Sequence, residues 1–155
     1  MVKSGCKSQK GGGEMLVGEF QHNIDTKGRV IMPSKFRDEL GENFVITKGL
    51  DKCLFVFSKE EWQNLDAKLS EQSLSKGRKI QRFFYGGMTE CELDKQGRVL
   101  RPQALRNYAE VSKDVVFVGL AKRVEIWNKA EWDKQNSEFI EDADDVALQM
   151  EELGI

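Results

Sequence analysis

The sequence predicts an α+β protein, mainly β, built from two fused repeats related by pseudo-two-fold symmetry. A thirteen-residue motif at 25–37 returns at 94–106, with Asp, Gly, Arg, Val, Pro and a final Arg at matching positions. Short β-branched runs alternate with turns and short helical segments in both copies, and the apolar content of 39% is sufficient for a core. Because one copy alone would bury too little surface to be stable, we expect the two to share one core.

The first part of each repeat is predicted to be an extended segment, a turn, a strand and a short helix. In the first copy, Asp25 starts the turn and Gly28 permits the positive φ that the turn requires. The strand Arg29–Met32 follows, and Pro33 suits the first turn of a helix. We expect that helix to run from Ser34 to Leu40 and to stop at a glycine.

The second part of each repeat is predicted to be two strands and a helix. In the first copy the strands are 44–46 and 54–57, and Ser58 with Glu61 has the spacing of a capping box. Asn128 and Glu131 repeat that spacing. The offset between the copies rises from 69 at the motif to 70 at Val45 and Val115, which predicts one extra residue after Arg106.

The domain organisation follows from this repeat. We predict a first repeat over 15–73, a helical linker over 74–86, a second repeat over 87–132 and an acidic C-terminal helix over 133–155. Residues 1–14 are polar and glycine-rich, so we interpret them as a disordered tail or an expression scar, with Met15 as the native start. Two copies are too few for a solenoid.

Composition restricts the cellular context. Three widely spaced cysteines argue against a disulfide framework and a zinc site, and they favour a reducing cytoplasm. No apolar run is long enough to cross a membrane, and no secretory signal is recognisable. We therefore predict no metal, no cofactor, no membrane contact and no small-molecule substrate.

Charge is distributed unevenly along the chain. The net charge is −2, yet each copy of the motif carries +3, and cations cluster at Lys76, Arg78, Lys79 and Arg82. The segment 131–155 holds nine acidic residues and one lysine. Local patches therefore decide which partners this chain binds.

The doubled signature Asp-x-x-Gly-Arg-apolar-apolar-x-Pro-x-x-apolar-Arg resembles that of the MraZ family of bacterial regulators. The phrase 18–25 and the run 125–127 fit the same family, and the similarity spans 15–155. Each half-motif also resembles the single motif of AbrB-type regulators. The resemblance implies a pseudo-two-fold swapped-hairpin β-barrel, with peripheral helices and a C-terminal helix.

The resemblance further implies a cytoplasmic, nucleoid-associated repressor of the division and cell-wall gene cluster, including its own operon. It would bind repeated promoter boxes in double-stranded DNA as a ring-shaped homo-oligomer. The DNA-binding residues would come from the two turns, with further motif residues in support. The DNA-binding set is Arg29, Arg98, Lys27, Lys95, Gly28 and Gly97, and the supporting set is Asp25, Asp94, Arg37 and Arg106.

Three other interpretations of these residues stay open. Asp25 with Arg29, and Asp94 with Arg98, could be ion pairs that close their turns, and such a pair could also orient the arginine. Asp25 and Asp94 could form the carboxylate pair of a hydrolase, although Lys27 would hold Asp25 ionised. The acidic C-terminal helix could instead make the chain a protein-interaction module that does not bind DNA.

Overall fold

The computed structural model describes residues 16–100, 103–111 and 113–155. The predicted tail over 1–14 and the predicted start at Met15 lie outside the described residues. Arg101 and Pro102 of the second motif also lie outside them, as does Ser112.

Helices and strands occur in the same order in both repeats. The first repeat comprises β1 (Leu16–Asn23), β2 (Arg29–Ile31), α1 (Ser34–Leu40), β3 (Asn43–Lys48), a 3-10 turn (Leu50–Lys52), β4 (Leu54–Ser58), α2 (Lys59–Ser70) and α3 (Leu74–Gly87). The second comprises β5 (Thr89–Glu92), β6 (Arg98–Leu100), α4 (Gln103–Ala109), β7 (Asp114–Ala121), β8 (Val124–Asn128), α5 (Lys129–Glu141) and α6 (Ala143–Leu153). The acidic C-terminal segment therefore contains two helices rather than one.

Local sequence explains where the helices begin and end. Helix α1 starts directly after Pro33 and ends at Gly41, which has a φ of 80°. The Ser58 side chain accepts a hydrogen bond from the Glu61 N–H and caps α2. At the start of α5, Asn128 accepts hydrogen bonds from the N–H groups of two residues in the first turn.

The two repeats exchange strands. All strand pairs are antiparallel, and the main sheet has the order β1-β7-β8-β4-β3-β5. The first strand of each repeat thus pairs with the third strand of the other repeat, and β4 pairs with β8 at the pseudo-dyad. Neither repeat can complete its part of the sheet by itself.

The predicted barrel is not closed by the described residues. Strands β2 and β6 are three residues long and form a separate two-stranded ladder with each other. They therefore do not bridge β1 and β5, which remain the two edges of an open six-stranded sheet. The α+β class is confirmed, whereas the closed barrel is a wrong prediction.

The sheet register also corrects the predicted alignment of the repeats. Val45 lies opposite Glu90, and Val116 lies opposite Gln21. Glu90 and Gln21 are counterparts at the motif's offset of 69, so the counterpart of Val45 is Val116 and not Val115. The offset returns to 70 in β4 and β8 because the β7–β8 loop is one residue shorter than the β3–β4 loop.

Buried side chains form one apolar cluster on each face of the sheet. The first cluster includes Phe44 of β3 together with Val30 and Val99 of the β2–β6 ladder. The second includes Val45 of β3 and is covered by helical side chains such as Trp62 and Phe84. The ladder and its turns thus lie against one face of the sheet, and α2 and α3 lie against the other.

No helix in the described ranges is both long and apolar enough to cross a membrane.

Candidate nucleic-acid interface

The first turn is organised by the carboxylate of Asp25. Its Oδ1 accepts hydrogen bonds from the backbone N–H groups of Lys27 at 2.9 Å and Arg29 at 2.8 Å. Its Oδ2 accepts a third hydrogen bond from Arg29 Nε at 2.9 Å. Gly28 completes the turn with a φ of 82° and donates its N–H to the Asp25 carbonyl. One aspartate therefore fixes both the backbone of the turn and the direction of the arginine.

The second turn repeats this arrangement. Asp94 Oδ1 accepts from the N–H groups of Gln96 and Arg98, both at 2.9 Å, and Oδ2 accepts from Arg98 Nε at 2.8 Å. Gly97 has a φ of 78°. The two turns also face each other, since Arg98 Nη1 lies 4.0 Å from Asp25 Oδ2.

The β2–β6 ladder sets the spacing between the two arginines. Arg29 pairs with Leu100 and Arg98 pairs with Ile31, so each arginine begins its strand at one end of the ladder. The Met32 N–H donates to the Gly97 carbonyl at 2.9 Å and extends the contact into the second turn. The sequence predicted each turn separately, and this ladder joins them into one surface.

Both arginines keep part of the guanidinium available. The exposed fraction of the side chain is 28% for Arg29 and 25% for Arg98. The aspartate bond uses Nε in each case, and Arg98 Nη1 also lies within ion-pair distance of Asp25, so the remaining Nη atoms are those that can reach a ligand. The predicted ion pairs are therefore present, and their geometry is compatible with an arginine that is oriented for binding.

The charge state of the aspartates argues against the hydrolase interpretation. The backbone N–H of Arg29 is the main cause that lowers the pKa of Asp25, and the backbone N–H of Arg98 does the same for Asp94. Desolvation opposes these shifts in part, and the arginine side chains reinforce them. Both carboxyl groups are thus ionised at neutral pH, whereas a catalytic pair must share a proton.

The helix arginines of the motif occupy positions that the sequence did not predict. A Cβ built on Gly97 would lie 2.5 Å from Arg37 Cζ, and one built on Gly28 would lie 2.9 Å from Arg106 Cζ. Each guanidinium thus lies over the turn of the opposite repeat. Arg37 Nε also donates to the Met32 carbonyl at 2.9 Å. These two side chains, which the sequence placed only in the supporting set, are half-buried and contact the turns.

The lysines distinguish the two turns. Lys27 and Lys95 are both exposed, but Lys27 corresponds to Gln96 and Lys95 corresponds to Thr26. Each turn therefore offers one flexible cation beside its arginine, at a different position. The two turns thus present equivalent arginines, each beside a lysine at a different position.

Comparison with known proteins gives the family. A family model described as "MraZ protein, putative antitoxin-like" matches residues 15–82 and again residues 84–150. The chain belongs to the MraZ family. The transcriptional regulator MraZ of Thermoanaerobacter sp. strain X514 is 51% identical over 143 residues, which cover 91% of this chain and 100% of that protein. Those of Caldicellulosiruptor bescii and Acetivibrio thermocellus are 51% and 50% identical over the same shares.

This MraZ-family chain also contains a buried polar network that sequence reasoning missed. Glu125 is 8% exposed and accepts hydrogen bonds from Arg123 Nη2 at 3.0 Å and Trp127 Nε1 at 2.9 Å. The Arg123 guanidinium lies 4.5 Å from the ring centroid of Phe55, which pairs with Glu125 across the pseudo-dyad. The alternation Arg-x-Glu-x-Trp, which begins one residue before β8 and continues into it, was the available signal, because alternate residues of an extended segment share a face.

The network has no counterpart in the first repeat. The positions that match Arg123 and Glu125 hold Cys53 and Phe55. Burial raises the pKa of the Cys53 thiol well above its usual range, which disfavours the thiolate form. Within the described ranges, His, Cys, Asp and Glu residues form no group of three that could hold a metal ion.

Proposed function

We propose that this chain is a sequence-specific, DNA-binding transcriptional regulator whose two Asp–Arg turns contact the DNA. The observation that carries the proposal is the presence of two equivalent arginines, each oriented by an aspartate, on one short ladder. The relatives that match nearly the whole chain are named transcriptional regulators, which supports the same class of function. We propose no cofactor and no active site for this function.

The proposed role of each residue follows from its chemistry. The Nη ends of Arg29 and Arg98 read a base edge, and a guanidinium bound to guanine O6 and N7 is the commonest specific contact in the major groove. Lys27, Lys95 and the turn amides bind phosphates and position the protein without reading sequence. Arg37 and Arg106 hold the turns in place from the opposite repeats.

The proposal includes a ring-shaped homo-oligomer. A single chain of net charge −2 offers few phosphate contacts, so its affinity for DNA is weak. Several copies that bind repeated promoter boxes together raise the effective concentration and recover affinity. We propose that the targets are the division and cell-wall gene cluster, including the chain's own operon, and that binding represses them.

The exchange of strands supports an evolutionary interpretation of the fold. Pairing of β1 with β7 and of β5 with β3 is what a fused dimer of AbrB-like swapped hairpins would retain. We propose the domain limits 15–73, 74–86, 87–132 and 133–155 on that basis. They assign one swapped unit to each repeat and leave α6 and the part of α5 after residue 132 outside the exchange.

A gel shift with DNA from upstream of its own operon tests the site. The variant Arg29→Ala/Arg98→Ala is expected to lose sequence-specific binding by about 30-fold or more, since each of the two lost base contacts costs about 1–3 kcal/mol. The control Lys68→Ala/Lys134→Ala removes the same charge from exposed positions on α2 and α5. It is expected to bind like the wild type.

The control separates base recognition from overall charge. If both double variants weaken binding equally, the effect is one of net charge and the assigned arginines do not read DNA. If a folded Arg29→Ala/Arg98→Ala variant keeps specific binding, the proposed interface is wrong. Circular dichroism and the melting temperature establish that each variant is folded.

A further inference from the structure

The ladder of β2 and β6 places the short helix of each repeat beside the turn of the other repeat. The two strands are antiparallel, with Ile31 at the end of β2 opposite Arg98 at the start of β6. Because the end of one antiparallel strand lies at the start of its partner, α1, which follows β2, begins next to the turn at 94–97. The same register places α4, which follows β6, next to the turn at 25–28.

Arg37 of α1 reaches the second turn by two routes. A Cβ built on Gly97 would lie 2.5 Å from Cζ, 2.7 Å from Nη2 and 2.8 Å from Nη1 of Arg37. These nearly equal distances mean that the flat face of the guanidinium covers the glycine. Arg37 Nε also donates to the Met32 carbonyl, and the Met32 N–H donates to the Gly97 carbonyl, both at 2.9 Å. Gly97, contacted directly and through Met32, immediately precedes Arg98.

Arg106 of α4 covers the first turn in the same way. A Cβ built on Gly28 would lie 2.9 Å from Cζ, 2.9 Å from Nη1 and 3.2 Å from Nη2 of Arg106. Gly28 immediately precedes Arg29. At each glycine, the three atoms nearest to the added Cβ all belong to the arginine of the other repeat. The guanidinium that covers each turn therefore comes from the opposite half of the chain.

The position of each turn glycine determines where the arginine after it points. The glycine N–H closes its turn by donating to the carbonyl of the aspartate at 3.0 Å. The next residue, Arg29 or Arg98, is bound to the same aspartate through its N–H and its Nε. A shift of the glycine therefore moves the guanidinium that follows it. Since a binding group must be held within about 0.5 Å of its productive position, such a shift is sufficient to lose a base contact.

We propose that base recognition is organised across the repeats: Arg37 positions Arg98 for DNA, and Arg106 positions Arg29. The inference rests on the proposed function and assigns to each base-reading arginine a positioning residue in the other repeat. In this arrangement the two helix arginines act through the turns and need no contact with DNA. Each repeat then reads DNA only when the helix of the other repeat holds its turn.

Four double variants test this arrangement in the full-length chain. Two of them remove a base-reading arginine together with its own positioning residue and so disable one turn: Arg37→Ala/Arg98→Ala and Arg106→Ala/Arg29→Ala. The other two disable both turns: Arg37→Ala/Arg29→Ala and Arg106→Ala/Arg98→Ala. All four remove one turn arginine and one helix arginine, so the two sets are matched in charge. A gel shift measures the affinity of each for DNA from upstream of its own operon and for unrelated DNA of the same length.

The two sets are expected to differ in specific binding. Variants that disable one turn should bind like Arg98→Ala or Arg29→Ala alone, within about 2-fold, because the second substitution affects a turn that is already lost. Variants that disable both turns should bind more weakly by about 5-fold or more, which corresponds to one further base contact at about 1 kcal/mol. Equal binding by the two sets, or the reverse order, would overturn the inference.

The variant Arg37→Lys separates positioning from a direct phosphate contact. Lysine keeps the charge but lacks the flat guanidinium face and the Nε–H that binds the Met32 carbonyl. We expect Arg37→Lys to lose specific binding as Arg37→Ala does, and we expect both to keep the salt dependence of the wild type. Wild-type affinity of Arg37→Lys would contradict the inference. A salt slope lowered by about one in Arg37→Ala would also contradict it, because that change marks a lost phosphate contact.

Folding and the proposed function are checked separately. Circular dichroism and the melting temperature establish that each variant is folded, and if the Arg37→Ala variants unfold, the Arg106→Ala variants make the same comparison. If Arg29→Ala/Arg98→Ala keeps specific binding, the assigned DNA site and this inference are both wrong. If that variant loses specific binding while the two sets of double variants bind alike, the DNA site stands and only this inference is wrong.

Discussion

The turn at 25–28 and the turn at 94–97 use the same hydrogen bonds, whereas the helices that end the two repeats differ in sequence, charge and packing. In both turns an aspartate binds two backbone N–H groups and one arginine Nε. Helix α3 carries cations and packs on the sheet, but α6 carries acids and contains no buried residue. The two repeats thus keep the same geometry in their turns, whereas the helices at their ends have diverged.

The short helices give the largest expected difference between the halves. Phe36 of α1 is fully buried and packs edge-on against Phe20 with ring centroids 5.2 Å apart, while its counterpart Leu105 in α4 is smaller. Phe36→Ala is expected to lower the free energy of unfolding by about 3–5 kcal/mol and Leu105→Ala by about 2–5 kcal/mol. Urea unfolding measures both, with Leu50→Ala, an exposed position in the 3-10 turn, as a control. A larger loss for Leu105→Ala would mean that the core is centred on the second repeat.

The turn glycines test the contact between the repeats. Gly97→Ala and Gly28→Ala each force an alanine to a positive φ, which costs about 1–2 kcal/mol, and each also displaces an arginine of the opposite repeat. Gly41→Ala has the same backbone strain with no atom within 4 Å of the new Cβ. We expect thermal unfolding to rank the losses Gly97, Gly28, Gly41. Equal losses at all three positions would show that the cross-repeat arginines contribute no support.

The helix caps are expected to differ by a smaller amount. Asn128 accepts from two N–H groups of α5 and also donates to the Glu110 carbonyl, whereas Ser58 accepts from one N–H group of α2. Removal of a cap costs about 0.5–2 kcal/mol. Asn128→Ala should therefore be more destabilising than Ser58→Ala in chemical denaturation. The opposite order would indicate that α2 depends on its cap more than α5 does.

The smallest expected effect concerns how the free energy of unfolding changes with pH in the acid range. The pKa values of Asp25 and Asp94 are lowered in the folded state from the ordinary value of 3.8. Their ionised forms therefore stabilise the fold above pH 3.8, and this contribution is lost as the pH falls through the lowered pKa values. The variant Asp25→Asn/Asp94→Asn should make the free energy of unfolding depend less on pH in that range. An unchanged acid profile would show that other carboxyl groups control it.

The parts of the fold that the sequence predicted depend on local chemistry. The turn at Asp25 and Gly28, the start of α1 after Pro33 and the cap at Ser58 each follow from residues within a few positions of one another. Such signals act through backbone preferences and through hydrogen bonds between residues close in sequence. They therefore do not depend on contacts with distant parts of the chain.

The remaining parts depend on contacts between distant segments. The register that matches Val45 with Val116 is set by the partner strands and not by sequence similarity. The placement of Arg37 over Gly97 depends on strand exchange between the repeats, and an open sheet in place of a barrel depends on how two very short strands pair. None of these is encoded in a pattern of neighbouring residues.

Strand exchange also determines when the protein can fold during its synthesis. Leu16 of β1 pairs with Ala121 of β7, so the first strand has no partner until most of the chain has left the ribosome. Pairing over such a long sequence distance is slow, and an unpaired strand edge is prone to aggregate. We therefore expect the N-terminal strand to stay unpaired until β7 has been synthesised, which lengthens the time over which it can aggregate.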